Sequence, residues 1–176
     1  MAAWSADELE AAFRRYWQTG AVGEDWSGWA DLFTEDVEYV EHFLGAMRGR
    51  ETIRAWIVPL MARYGELYTA YEWHTIDVAR GRVVFTMQNR RDHPDGQSAI
   101  DFSGISMIDY AGGGLWRRQE DYWAAPAAER CFKLYQDARK AIDPDHDKKR
   151  TRKDWGLGPS WCQGPPLGPG SILITS

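Results

Sequence analysis

Four β-strands in a row, joined by tight turns, constrain this chain more than any other feature. LYTAYEWHTIDV stops at ARGR, RVVFTMQNRRD stops at HPDG, SAIDFSGISMIDY stops at AGGG, and LWRRQEDYW runs into Ala125 and Pro126. Gly- and Pro-containing punctuation of this kind predicts an antiparallel meander over residues 66–124. The middle strands are long enough to require a twist or a bulge. Helical patterns precede the meander. Ser5 and Glu8 have capping-box spacing, and Leu9, Phe13, Tyr16 and Trp17 follow at helical intervals, so a helix is expected over about 6–19. Gly20 and Gly23 break it, and a second helical piece carries Trp26, Trp29, Ala30 and Phe33. VEYVEH, residues 37–42, reads as a short strand with Val37, Tyr39 and Glu41 on one face and Glu38 turned to solvent. FLGAMRG reads as a loop. A further helix runs from Arg50 to about Tyr64, where Pro59 is expected to kink or shorten it. Residues 127–141 form a last helix. Helices first and a meander afterwards predict an α+β domain.

Charge narrows the function classes. Residues 1–142 hold 22 acids against 16 bases. An acidic body argues against a nucleic-acid partner, because phosphate contact needs a basic surface. The basic run KKRTRK, 148–153, is flanked by Asp147 and Asp154 and reads as a solvated segment. Two cysteines, Cys131 and Cys162, show no CxxC or His/Cys cluster, so no metal is expected. No signal-like start and no membrane-length apolar run are visible, which reads as a cytoplasmic protein without a membrane partner. The expected organisation is a domain over 1–142 and an extension over 143–176. The extension is charged and then rich in Gly and Pro, either disordered or an arm laid on its own domain or a partner. Trp155, Trp161 and Ile172–Ile174 are the apolar residues by which an arm would dock.

The order of elements, with LFTED at 32–36, GRETI at 49–53 and WRRQEDYW at 116–123, resembles the SnoaL-like branch of the nuclear transport factor 2-like superfamily over roughly residues 6–128. The resemblance implies a cone, in which a strongly curved antiparallel sheet wraps the N-terminal helices around an apolar cavity. Known members include polyketide cyclases, ketosteroid isomerases, limonene epoxide hydrolases, scytalone dehydratases and many non-enzymes. Against ketosteroid isomerases, Tyr16 resembles the oxyanion tyrosine and Glu41 the carboxylate base. The positions of their second oxyanion acid, around Gly104 and Ile105, are not acidic, and Asp101 lies too early. Against limonene epoxide hydrolases, Tyr39 and Asp121 match, but Gln88 and Arg90 stand where an Arg-x-Asp pair is needed. Against scytalone dehydratases, DWSGW at 25–29, Tyr39 and His74 match, while a second histidine does not. Against SnoaL-type cyclases, Asp121 matches the general acid/base.

The resemblance thus implies Asp121 and Glu41 as proton carriers, with Tyr39, Tyr16 and His74 orienting substrate or a water. Trp29, Phe33, His42, Trp56, Asn89, Asp101 and Trp123 are the candidate substrate contacts. The structural alternatives are plain. Asp121 would pair with Arg90, Arg91 or Arg117, Glu41 with Arg48 or Arg50, and Tyr16 would be a core tyrosine. The implied activity is cofactor-free isomerisation, cyclisation or dehydration of a small apolar carbonyl compound such as a polyketide- or steroid-like molecule. The competing expectations are a non-catalytic binder of a hydrophobic ligand and an interaction module, a homodimer formed through the sheet.

Overall fold

A computed structural model describes residues 4–148 and 152–164. Helix α1, Ala6–Trp17, starts where the Ser5 side chain accepts a hydrogen bond from the Glu8 amide at 3.1 Å. Glu8 does not close the reciprocal half of the box; its carboxylate accepts from the Tyr110 hydroxyl at 3.0 Å. A π-helical turn, Gln18–Val22, ends this segment. It contains Gly20, where a side chain would run into the Trp29 ring. Helix α2 is short, Trp26–Ala30, capped by the Asp25 side chain on the Gly28 amide.

Strand β1, Phe33–Glu41, begins four residues before the expected VEYVEH, and Phe33 belongs to it rather than to a helix. The expected loop FLGAMRG contains strand β2, Gly45–Arg48, which folds back antiparallel on β1. Four glycine-flanked residues carry no strand signal of their own; the pairing supplies it. Helix α3, Arg50–Arg63, runs past Pro59 for another turn, so the expected shortening does not occur. The meander follows as β3 (Tyr68–Asp77), β4 (Arg82–Asp92), β5 (Ala99–Gly112) and β6 (Leu115–Trp123), and α4 spans Ala125–Ile142.

The six strands form one curved sheet in the order β2-β1-β6-β5-β4-β3. All neighbours are antiparallel except β1 and β6, which run parallel. Register shifts lie in β3 between Tyr71 and Trp73, and in the β5–β6 pair near Tyr110. These are the irregularities that strands of ten or more residues need in order to curl. The curl packs the inner face against α1 and α2. Leu9, Phe13, Trp17, Phe33, Val37, Phe85, Ile108 and Trp116 are all almost completely buried there.

The arm over 152–164 is docked, not free. The Tyr71 amide donates to the Trp155 carbonyl at 2.9 Å, and the Leu157 amide donates to the Tyr71 carbonyl at 3.0 Å. Gly156 sits between these bonds at φ +95°, and a Cβ there would collide with the Tyr71 backbone. Trp161 packs on Phe13, Tyr71 and His74. Arg152, from the run expected to be solvated, is fully buried instead. Its guanidinium pairs with Glu24, donates to the Gly65 carbonyl at 3.1 Å and lies 5.0 Å over the Tyr68 ring. Lys149 to Thr151 and Ile172–Ile174 lie outside the described residues.

Candidate active site

A cavity of about 480 Å3 lies between the inner face of the sheet, helices α2 and α3, and the first turns of α4. Its walls are rings and aliphatic chains: Trp26, Trp29, Trp56, Leu60, Met61 and Phe85 among them. Phe43, Leu44 and Phe132 line it and are also exposed, so they form its rim.

The polar floor is built by strand register. Cross-strand pairs set Tyr39 beside Gln119, Glu41 beside Asp121, and Ser106 beside Asp121 on the other side. Alternation puts all five side chains on the inner face. Asp121 Oδ2 accepts from the Tyr39 hydroxyl. Its Oδ1 accepts from the Ser106 hydroxyl at 2.6 Å and from Gln119 Nε2 at 2.9 Å. Gln119 Nε2 also donates to the Tyr39 oxygen at 3.0 Å, and its Oε1 accepts from the Tyr16 hydroxyl at 2.8 Å.

No cation pairs with Asp121 among the described residues. The three arginines that stood as structural alternatives are committed elsewhere. Arg90 holds Asp101 at 2.7 Å, Arg91 holds Glu66 at 3.1 Å, and Arg117 donates to the Tyr110 carbonyl at 2.8 Å. Burial therefore dominates and raises the Asp121 carboxyl above its ordinary value, against the lowering effect of its three hydrogen bonds. Asp121 retains some surface because it borders the cavity, while protein encloses it on the other sides. Burial first, and the nearby Asp121 charge second, also push the Tyr16 and Tyr39 phenols well above 10.0. Both remain O–H donors at neutral pH.

Glu41 lines the cavity too, but its oxygens are occupied differently. Oε2 accepts the Phe43 and Leu44 amides at 3.1 and 2.6 Å, and Oε1 accepts the Trp123 indole N–H. It ties down the turn between β1 and β2. Neither Arg48 nor Arg50 pairs with it. Arg48 faces Glu38 at 3.9 Å and Arg50 Nε donates to the Phe33 carbonyl at 2.8 Å.

The cavity thus gathers Tyr16, Trp29, Tyr39, Glu41, Trp56, Asn89, Asp121 and Trp123 from the expected set. Four expected residues lie elsewhere. Phe33 is fully buried in the helix–sheet core. His42 is the first residue past β1 and turns outward, where it contacts Glu120 at 2.8 Å and stacks on Tyr122. Asp101 faces away from the cavity, and Arg90 grips one of its oxygens through two nitrogens. His74 pairs opposite the inward Phe85, but α1 and the arm cover it. Its two nitrogens contact Glu10 at 2.7 Å and the Tyr71 hydroxyl at 2.6 Å. Sequence reasoning missed Gln119 and Ser106. Gln119 shares the parity of Asp121 two residues away, a signal present in WRRQEDYW. Ser106 needed the β5–β6 register. No group of three or more His, Cys, Asp or Glu among the described residues is placed to hold a metal ion.

The family model described as a SnoaL-like domain matches residues 13–119. The chain belongs to the SnoaL-like family. Asp121, α4 and the arm lie just beyond the matched span. Solved structures share the SnoaL-like fold at low identity. TerC, co-crystallized with polyporic acid, is similar at TM-score 0.58 and 16% identity, over 72% of this chain and 98% of that one. SalBIII, an epoxide hydrolase/cyclase-like enzyme of pyran ring formation in the polyether salinomycin, is similar at TM-score 0.56 and 11% identity, over 69% and 94%. Rv0760c of Mycobacterium tuberculosis, in complex with estradiol-17β-hemisuccinate, is similar at TM-score 0.55 and 16% identity, over 68% and 96%. No protein of curated function matches the sequence. No helix of the described residues is long and apolar enough to cross a membrane.

Proposed function

We propose that this SnoaL-like protein is a cofactor-independent acid–base enzyme acting on a small apolar carbonyl compound, with Asp121 as its proton carrier. The observation that carries the reading is an acid without a cation at the floor of an aromatic cavity. Such a group is costly to bury unless it is hydrogen-bonded or used. A carboxylate whose pKa is raised is also a better base for a carbon acid. In the proposed step the Asp121 carboxylate takes the proton on the carbon next to the substrate carbonyl. The electron pair moves onto the carbonyl oxygen as an enolate. The Tyr16 hydroxyl turns from Gln119 Oε1 to that oxygen and donates to it. The proton on Asp121 then returns to a different carbon in an isomerisation, or to a departing β-hydroxyl in a dehydration. In a cyclisation the enolate carbon attacks a second carbonyl of the same molecule, whose π pair moves onto its oxygen and takes the proton from Asp121. Tyr39, Ser106 and Gln119 hold the Asp121 carboxylate in one orientation throughout. Glu41 is also buried without a cation among the described residues, but its donors are the Phe43 and Leu44 amides of the rim turn and the Trp123 indole, so it is assigned to holding that turn, whereas the donors on Asp121 are side chains of the cavity floor. His74, covered by α1 and the arm, takes no part.

A specific observation favours a second reading, a non-catalytic binder. The floor groups satisfy one another in a closed network, so they need no substrate to complete them. One experiment separates the two. A panel of apolar ketones is incubated in heavy water, and deuterium uptake next to the carbonyl is read by mass spectrometry. The enzyme reading expects uptake with the parent protein and none with Asp121→Asn, while both bind the ketones equally. Binding with no uptake by either protein would contradict it and establish the binder.

A further inference from the structure

The inner face of the sheet is laid out in rows across the strands. One row is Asp121 beside Ser106, the next Trp123, Gly104 and Met87, and the next Phe102, Asn89 and Thr69. Asp121, Asn89 and Thr69 all line the cavity. Four residues of β5 separate the first row from the third, about 13 Å at about 3.3 Å per residue. The row between them is thin at its centre. A Cβ on Gly104 would lie 2.8 Å from Met87 Sδ and 3.1 Å from Asn89 Nδ2, so glycine keeps the floor clear between the two polar stations.

The far station differs from the acid end. The Asn89 and Thr69 side chains face each other as a cross-strand pair, and neither has a hydrogen-bond partner among the described residues. The neighbouring cation is committed: Arg91 holds Glu66 at 3.1 Å and lies 5.7 Å over the Phe132 and Tyr135 rings. Glu129 is a further charged group lining the cavity. An anionic ligand group at this end would therefore meet no available cation. A hydroxyl or carbonyl would meet an amide and a hydroxyl that can both donate and accept.

We propose that Asn89 and Thr69 form a second, uncharged subsite, so that the ligand is an elongated apolar molecule carrying a neutral hydroxyl or carbonyl at the end remote from Asp121. The assignment rests on the reading of the cavity as a small-molecule site, with a ligand carbonyl at the Asp121 end. It does not require turnover.

Three rigid 3-ketosteroid probes test it through quenching of the tryptophans that line the cavity. They are testosterone with its 17-hydroxyl, androst-4-en-3-one with no oxygen there, and 3-oxoandrost-4-ene-17β-carboxylate. The parent protein is expected to bind testosterone about tenfold more tightly than the 17-deoxy probe, the size of one well-made hydrogen bond. The carboxylate is expected to bind most weakly. Asn89→Leu and Thr69→Val are expected to erase the hydroxyl preference and leave 17-deoxy affinity unchanged, which also shows that they fold. Equal affinity of the parent for the hydroxyl and 17-deoxy probes overturns the proposal without any variant. So does tightest binding of the carboxylate, or failure of all three to bind. Deuterium uptake on the same ketones reports on Asp121 separately, so loss of the catalytic reading and loss of the subsite are distinguishable.

Discussion

Glu120 and Asp121 are consecutive on β6, one on each face of the sheet. On the outer face, Glu120 accepts from the Tyr122 hydroxyl at 2.5 Å, contacts His42 at 2.8 Å and pairs with Arg118 at 2.6 Å. The Tyr122 hydrogen bond, with His42 next, pulls its carboxyl down to about 2. On the inner face, Asp121 has hydroxyl and amide donors but no cation, and burial raises its carboxyl. The same chemical group is thus a stable anion on one side of a strand and, on the other, the buried carboxyl proposed as proton carrier. The contrast is the reason for proposing Asp121, and not Glu120, as the working acid of this strand. A second contrast points the same way. The Glu24 side chain, beneath the arm, is also almost covered, but Arg152 answers it.

The largest expected effect separates the two strand neighbours by activity. Asp121→Asn should lower turnover of an accepted ketone by about 10²- to 10⁴-fold, the usual worth of a general base. Glu120→Gln should stay within about threefold. Steady-state kinetics on both variants checks this, and equal losses would break the comparison. Next is the paired acid under the arm. Arg152→Leu leaves Glu24 without its guanidinium and should cost about 3–5 kcal/mol in urea unfolding. A loss below about 1 kcal/mol would mean that the arm contributes little to holding the fold.

A third prediction concerns pH, where the two faces have opposite signs. A carboxyl lowered in the native state stabilises it above the unfolded pKa, and that contribution is lost as pH falls through the native value. Glu120→Gln should therefore destabilise the protein at neutral pH, with the difference shrinking between about 4.5 and about 2. A carboxyl raised in the native state works the other way. The native state binds the extra proton above 3.8, so stability falls as pH rises from there through the native value. The Tm of the parent minus that of Asp121→Asn should decline as pH rises from 4 to 7. A flat or rising difference would contradict the assignment. The most local effect belongs to Glu41→Gln. It should leave turnover within about tenfold while speeding amide exchange at Phe43 and Leu44, because only the rim turn loses its anchor. A loss as large as that of Asp121→Asn would restore Glu41 as a proton carrier.

Much of the frame was legible because it is written in local patterns. The meander, its turns, the capped first helix and the shared face of Val37, Tyr39 and Glu41 follow from periodicity and punctuation, and the resemblance turned that face inward. The short strand β2 was not legible, because its four residues become a strand only by pairing with β1. The candidate site was legible where the resemblance supplied the position, as at Tyr39 and Asp121, and illegible where register or tertiary cover decides. The bulge at Tyr71–Trp73 returns His74 to the inner face, but Trp161, eighty-seven positions later, helps to cover it. Asp101 and Arg90 read as separate polar residues until the β4–β5 register set them opposite each other. Arg152 looked solvated because it sits in a basic run, and only the docking of the arm brings it to Glu24.

The central claim is that Asp121 is a carboxyl raised by burial and left without a cation. Carbon-13 NMR titration of labelled aspartate carboxyls, with the Asp121 signal assigned by its absence in Asp121→Asn, measures this in the protein alone. The account predicts a midpoint clearly above the ordinary 3.8. A midpoint at or below that value would contradict it.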